Sequence, residues 1–286
     1  MDLSLFDYPF PKELVAQHPP ARREDSRMMV LDRGTQSWEH KQITGIEAYL
    51  QKGDLLVMNN ALADLVDMEG KQVPALPPYI KRKKAADFTD VDFQRYRTVY
   101  GSVPGSKAAP TAGFHFTPEL LQKIETLGVS TAFVTLHVDY DTYKPIRSQN
   151  ILEHPMHGEK YEIPAETAEE ILAAKKESRR VIAVGTTSVR AIEAWAVGTP
   201  LAASHISDAP LSGGAASSTP TTNLFISPGY QFQVVDALLT NFHRPKSTVL
   251  VMASAFAGRE FILKAYEEAI REKYKLFSYG DCMLII

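Results

Sequence analysis

Three short segments gather the side chains that can hold a polar ligand or move a proton. The first is Val181-Ile182-Ala183-Val184-Gly185-Thr186-Thr187-Ser188-Val189-Arg190, an apolar run that ends in a glycine and three hydroxyl residues. A strand that turns into a helix at this point aims free backbone N–H groups and the positive end of the helix beyond the strand's carboxyl end. A carboxylate, ribose or phosphate is stabilised there. The pattern is neither G-x-G-x-x-G nor a Walker loop, so no dinucleotide or ATP site follows, and a simply capped helix fits the same residues. The second is Ala108-Ala109-Pro110-Thr111-Ala112-Gly113-Phe114-His115-Phe116-Thr117. Its small residues let a ligand approach closely, its rings can stack on a base, and its imidazole titrates near neutral pH. A tight turn with both phenylalanines in the core is the equal alternative. The third is Glu153-His154-Pro155-Met156-His157-Gly158-Glu159. Pro155 between the histidines rules out the helical H-E-x-x-H zinc arrangement, which leaves acid–base work, substrate hydrogen bonding or a structural role.

Thr240-Asn241-Phe242-His243-Arg244-Pro245-Lys246-Ser247 is a further polar loop, in which His243 alone reads as a capping or packing residue. No G-x-S-x-G elbow is present, and the single cysteine, Cys282, excludes an internal disulfide and any thiolate-clustered metal site. Within its segment, LFSYGDCMLII, that cysteine reads as a small core residue. No metal is expected.

The elements that must position these groups alternate. Apolar runs over Met28–Leu31, Asp54–Met58, Thr131–Val138, Val181–Val184 and Thr248–Met252 read as buried strands. Helices are expected over Thr117–Leu127, where Thr-Pro-Glu places a hydroxyl at the cap and proline at the first turn, and over Ala165–Arg179, with acids early and bases late. Two more are expected over Ser188–Ala196 and Gly258–Tyr274. Strand followed by helix, repeated, means an α/β protein. Two stretches break the rhythm. Gly198–Thr222 is rich in Ser, Thr, Ala, Gly and Pro and reads as a surface loop, and Gly70–Gly105 reads as a small subdomain or linker with one strand, Tyr96–Tyr100.

With 286 residues, 44% hydrophobic and 23% charged, the chain can bury one large core or two smaller ones. No apolar stretch approaches the roughly 20 residues of a membrane helix, and the start lacks a basic flank before an apolar segment, so a cytoplasmic protein is expected. A formal charge of −3 argues against coating nucleic acid through a global field. Local basic runs remain: Lys81-Arg82-Lys83-Lys84, Arg179-Arg180, and Arg244 with Lys246.

Taken in order along the chain, FDYPFPKELVAQHP, EDSRMMVLDR, KGDLLVMNN, LPPYIKR, RYRTVYG, PGSKAAPTAGFHFT, FVTLHVDYDTYKPI, EHPMHGEKYEIP, RVIAVGTTSVRAIE and TNFHRPKST resemble the S-adenosylmethionine:tRNA ribosyltransferase-isomerases of queuosine biosynthesis over nearly the whole length. The resemblance implies an α/β catalytic domain, built on a mixed sheet or an α/β barrel with flanking helices, plus an inserted β-barrel domain. It implies transfer and isomerisation of the ribosyl part of S-adenosylmethionine onto 7-aminomethyl-7-deazaguanine in a tRNA anticodon loop, giving epoxyqueuosine, adenine and methionine. A divergent paralogue that binds a nucleoside or RNA without this activity, or acts on another nucleoside, is the alternative. The protein is expected as a monomer or small homo-oligomer, without membrane association.

By the same resemblance, a base removes the proton beside the sulfonium and an acid assists adenine departure. His115, His154 and His157 suit those catalytic roles. Asp25 and Arg27 match an N-terminal polar motif, and with Thr111, Gly113, Gly185, Thr186, Thr187, Ser188 and Arg190 they are expected to bind the sulfonium cosubstrate. Glu153, Asn223, Asn241, His243 and Lys246 are expected to complete the pocket or meet the tRNA backbone. The chain departs from the family where N-D-T-R and P-A-R are usual. Here Asn59-Asn60-Ala61-Leu62 and Leu65-Val66-Asp67 lack an acid and two arginines. The chain is also short after Met68, so the expected division is a main domain over 1–68 and 106–286 and a reduced barrel insertion over 69–105. Thr221 stands where the family carries tryptophan.

Overall fold

Alternate side chains along the apolar strands feed two separate cores, which requires a sheet covered on both faces. The computed structural model describes residues 1–66, 72–82, 89–143, 145–198 and 220–286. Its strands are β1 (Arg27–Asp32), β2 (Ser37–Gln42), β3 (Leu55–Asn59), β4 (Ala61–Val66), β5 (Gln72–Pro74), β6 (Val103–Ser106), β7 (Ser130–Leu136), β8 (Glu159–Glu162), β9 (Val181–Val184), β10 (Thr221–Thr222), β11 (Ala237–Asn241) and β12 (Cys282–Ile285). The helices are α1 (Asp90–Arg95), α2 (Pro118–Thr126), α3 (Ala165–Lys176), α4 (Thr186–Gly198), α5 (Thr248–Ala257) and α6 (Arg259–Arg271).

Nine strands form one mixed sheet in the order β10-β8-β7-β3-β9-β11-β12-β1-β2. β7, β3, β9 and β11 are parallel, and β12 turns antiparallel against β11. The sheet is open, with β10 and β2 at its edges, so of the two expected architectures the mixed sheet is the one adopted. Leu55, Val57, Val181, Ala183, Leu238, Met283 and Ile285 face one core, where Ile171 of α3, Ile192 of α4, Val251 of α5 and Ile262 of α6 pack. Leu56, Met58, Ile182, Val184, Leu239, Cys282 and Leu284 face the other, filled by Ile43, Ile46 and, from α2, Leu120 and Ile124. Cys282 is fully buried, as its apolar segment implied.

The chain after β3 leads to β7 on one side, while the chain after β9 leads to β11 on the other. Such a divergence opens a crevice at the carboxyl ends of the strands. Asn59 keeps that edge closed where β3 stops. Its amide donates to the Leu136 carbonyl at 3.1 Å and accepts from the Ala61 and Leu136 N–H groups. Asn60 accepts from the Thr135 hydroxyl at 2.7 Å. Two residues that depart from or border the family's N-D-T-R are thus tied into the backbone and the neighbouring strand.

Several expectations are corrected. Thr248–Met252 is the start of α5, whose Ser247 hydroxyl accepts from the Leu250 N–H. The run is apolar all round because α5 is enclosed between neighbouring elements, and a short apolar run does not distinguish strand from buried helix. Tyr96–Tyr100 is not a strand. The chain there leaves α1, which is held by a reciprocal Thr89–Asp92 cap, and Tyr96 turns inward against Phe114 and Tyr279. Residues 72–82 and 89–105 pack on the main body through Ile80, Tyr96, Phe114 and Tyr279, and β4, β5 and β6 form a three-stranded sheet. Arg82 of the basic run is buried in a bidentate pair with Asp92 and serves this packing. Lys83, Lys84, Asp67, Met68 and most of the Gly198–Thr222 loop lie outside the described residues.

Candidate active site

The crevice is a cleft enclosing about 840 Å³ of space, with the solvent at its mouth included. Four connections build it. Gly185, Thr186 and Thr187 follow β9, the Thr240–Ser247 loop runs on from β11, Val138, Thr142, Tyr143 and Pro145 follow β7, and residues 108–112 come from the loop after β6. Gly185 sits at φ +88°, a conformation that side-chain-bearing residues avoid, and this lets the strand turn at once into α4. Thr186 and Thr187, at the N-terminal end of α4, therefore line the cleft.

Asn241, at the end of β11, links the floor. Its carbonyl oxygen accepts from the Thr111 hydroxyl at 2.9 Å, and its amide nitrogen donates to His115 Nε2 at 3.2 Å and toward the Phe277 and Asp281 carbonyls. An amide donor fixes His115 Nε2 as an acceptor, so the ring is the neutral Nδ1–H tautomer. Burial, helped by the nearby Arg23 charge, pushes its pKa down to about 4, which agrees. Among the described residues, His243 is the histidine lining this cleft. Its Nε2 lies 2.9 Å from the Thr240 hydroxyl, its backbone is held by Tyr266 and Tyr8, and burial lowers its pKa to about 3. A neutral imidazole is thus presented to the cleft at physiological pH. One wall is aromatic. Tyr79 meets Phe277 edge-on at 5.1 Å and Tyr143 at 6.3 Å, and the Arg244 guanidinium lies 5.8 Å above the Tyr79 ring.

A side pocket of about 390 Å³ opens from the cleft and shares Thr142, Thr186, Thr187 and Val249 with it. Its walls include Met156, Leu224, Phe225, Ile226 and Met252. Its charged end is the buried pair Arg190–Glu159. Arg190 also donates to the His157 and Thr222 carbonyls at 2.9 and 3.0 Å, and Glu159 accepts from the Asp139 N–H at 3.0 Å. Among the described residues, Arg190 Nε and Thr187 Oγ1 are buried without a hydrogen-bond partner.

The three segments singled out by residue type therefore meet at one end of the sheet, though not every named residue reaches the cavity. Thr111, Gly185, Thr186, Thr187, Asn241 and His243 line the cleft, and Arg190 lines the side pocket. His157 stands behind the pocket, its Nε2 3.2 Å from Glu159 Oε1, and the His154 ring packs edge-on against Phe225 at 5.9 Å. His115 is behind Asn241. Ser188 is turned inward, its hydroxyl donating to the Val184 carbonyl. Gly113 is small because of protein packing: a methyl group there would lie 2.0 Å from the Tyr100 hydroxyl. Asp25 pairs with Arg22, and Arg27 lies 3.8 Å over the Tyr274 ring, both outside the cavities. Glu153 pairs with Asn150 on the surface, Asn223 is exposed, and Lys246 pairs with Asp7. The residues missed by sequence reading are Tyr79, Thr142, Tyr143 and Arg244. Tyr79, Thr142 and Tyr143 belong to the LPPYIKR and DYDTYKPI segments, and Arg244, in TNFHRPKST, is singled out by sequence only as part of a local basic run.

No group of three or more His, Cys, Asp or Glu side chains is gathered for a metal among the described residues, and no helix among them is long and apolar enough to cross a membrane. The chain matches a family described as queuosine biosynthesis protein over residues 3–73 and 61–285. It is 39% identical to an S-adenosylmethionine:tRNA ribosyltransferase-isomerase of Carboxydothermus hydrogenoformans and 38% identical to one of Desulforamulus reducens, with all of both chains covered in each case. These alignments run to 360 positions against 286 residues here, so the relatives carry segments this chain lacks. A crystal structure of an S-adenosylmethionine tRNA ribosyltransferase from Thermotoga maritima superimposes with a TM-score of 0.65 at 30% identity, covering 99% of this chain and 100% of that one.

Proposed function

The chain belongs to the queuosine biosynthesis protein family, and from that premise we propose that it is an S-adenosylmethionine:tRNA ribosyltransferase-isomerase working in the cleft at the carboxyl ends of β7, β9 and β11. The reaction moves the ribosyl part of S-adenosylmethionine to a tRNA base and releases adenine and methionine. The acceptor is the 7-aminomethyl-7-deazaguanine of an anticodon loop, the product is epoxyqueuosine, and the protein acts in the cytoplasm. The observation that carries this reading is the full-length kinship at 38–39% identity, joined to a cleft whose walls come from the AAPTAG, DYDTYKPI, GTTSVR and TNFHRPKST segments that carry the resemblance.

The division of labour follows from the side chains. Tyr79 and Tyr143 offer faces for a planar base, with Arg244 held beside them. Thr111 and Thr186 offer hydroxyls for the ribose. His243 lines the cleft and is placed to receive the proton adjacent to the sulfonium, which the positive sulfur acidifies, though its burial makes the free imidazole a weak base. His115 acts through Asn241 as a positioning group, and His157 acts through Glu159. No step requires a metal. Residues 69–105 represent a shortened form of a segment that is longer in the relatives. The family match breaks into two pieces that overlap over residues 61–73, which supports that reading. The test is adenine release from S-adenosylmethionine, followed by chromatography, with and without tRNA bearing the modified base. Release that depends on the tRNA is expected, and its absence with pure components removes the proposal.

A further inference from the structure

The side pocket differs in chemistry from the cleft it joins, and on the reading above that difference divides the substrate. The main cleft offers aromatic faces and hydroxyls. The side pocket offers thioether and aliphatic walls from Met156, Leu224, Ile226 and Met252, then ends on one buried cation and one buried anion, Arg190 and Glu159. Two hydrogen-bond donors remain there without a protein partner. Arg190, only 4% exposed, keeps Nε unpaired among the described residues, and so does the Thr187 hydroxyl. Buried donors are normally satisfied, so an unpaired pair at the end of a cavity points to an acceptor that arrives with a ligand. Thr186 and Thr187, the first residues of α4, a helix of thirteen residues, line the same pocket, so the positive end of that helix adds to its anion-binding side. The opposite charge is present too: Glu159 Oε1 is bonded by the Asp139 N–H and the His157 ring, while Oε2, bonded by Arg190, retains a further lone pair for a cation.

A short aliphatic walled channel ending in separate sites for an anion and a cation matches an α-amino acid. We propose that the side pocket takes the methionyl arm of the sulfonium cosubstrate. Its carboxylate accepts from Thr187 Oγ1, Arg190 Nε and the start of α4, and its ammonium faces Glu159. The adenosine part stays in the main cleft, and the sulfur lies at the junction beside Thr142, Thr186 and Val249. The pocket thereby recognises the part of the molecule that departs as free methionine. It discriminates nucleosides by whether they carry that arm.

The experiment is calorimetric titration of the full chain with S-adenosylhomocysteine, which has the arm, and with 5′-methylthioadenosine, which lacks it. Two variants of different design are compared with the wild type after their folding is checked by thermal melting. Thr187→Val removes a hydroxyl that serves no internal bond, and Met156→Trp fills the pocket from a half-buried loop position. Loss of a hydrogen bond to a charged group is expected to weaken S-adenosylhomocysteine by roughly tenfold or more, while methylthioadenosine stays within about twofold. Equal weakening of both nucleosides, or of neither, overturns the assignment of the arm and leaves the cleft as the nucleoside site. Failure of both nucleosides to bind the wild type overturns the transferase reading together with it.

Discussion

Replacing Glu159 by glutamine tests whether the charged end of the side pocket is built as a pair. The glutamate side chain is 2% exposed and the Arg190 side chain 5%, so neither charge is solvated by water. Glu159→Gln keeps the shape and leaves the guanidinium bonded only to the neutral His157 and Thr222 carbonyls and an amide. Leaving one member of a buried pair uncompensated costs about 3–5 kcal/mol. That is a large share of the roughly 5–15 kcal/mol by which a domain of this kind is stable. The double variant Glu159→Gln, Arg190→Met removes the stranded charge, so its loss falls short of the sum of the two single losses by about 2 kcal/mol or more. Trp195 lies on α4 with Arg190 and reports the unfolding by fluorescence in urea. A single-variant loss below about 1 kcal/mol, or strictly additive losses, refutes the view of Arg190 and Glu159 as a mutually dependent buried pair.

Three further outcomes follow. His115 and His243 are held neutral, with folded pKa values of about 4 and about 3 against an ordinary value near 6.5. The unfolded chain therefore binds their protons first, so stability is complete above about pH 6.5 and falls as pH drops toward 4. His115→Gln should flatten the fall of melting temperature between pH 6.5 and 4.5, and an unchanged slope contradicts the buried-neutral assignment. His243→Asn should lower kcat by about 10²–10⁴ while the fold, checked by circular dichroism, is retained, and activity within a few fold of wild type excludes His243 as the proton acceptor. Gly185→Ala forces a methyl-bearing residue to φ +88° and should cost about 1–2 kcal/mol in urea unfolding, although the nearest neighbour, Ala112 Cβ at 3.5 Å, leaves room for the methyl itself. A neutral effect there means the turn relaxes.

The parts of the fold readable in the chain were those where one local signal decided. Val181–Val184 followed by Gly185 is a strand that must turn, and Thr117-Pro118-Glu119 is a capped helix start. Thr248–Met252 was misread because an enclosed helix and an enclosed strand are both simply apolar. The capping hydroxyl of Ser247 was the available signal. β2, with five of its six residues exposed and Trp38 half-buried, is defined by pairing with β1 that leaves no mark on local sequence. At the site, the residue types in the GTTSVR, AAPTAG and TNFH segments indicated polar connections at strand ends, and these connections do meet. Which of their side chains face the cavity was not legible. Gly113 looked like an opening for a ligand and is instead filled by Tyr100, and His115 stands behind Asn241. Tyr79 comes from the segment read as a linker, because long-range contacts with Phe277 and Ser278 bring it to the wall.

Mass analysis of the nucleosides of a tRNA bearing 7-aminomethyl-7-deazaguanine, after incubation with this protein and S-adenosylmethionine, tests the central claim most directly. Conversion of the base to epoxyqueuosine, with one adenine and one methionine released for each base converted, is the predicted result. Unmodified base alongside intact S-adenosylmethionine, from protein that is folded, contradicts it.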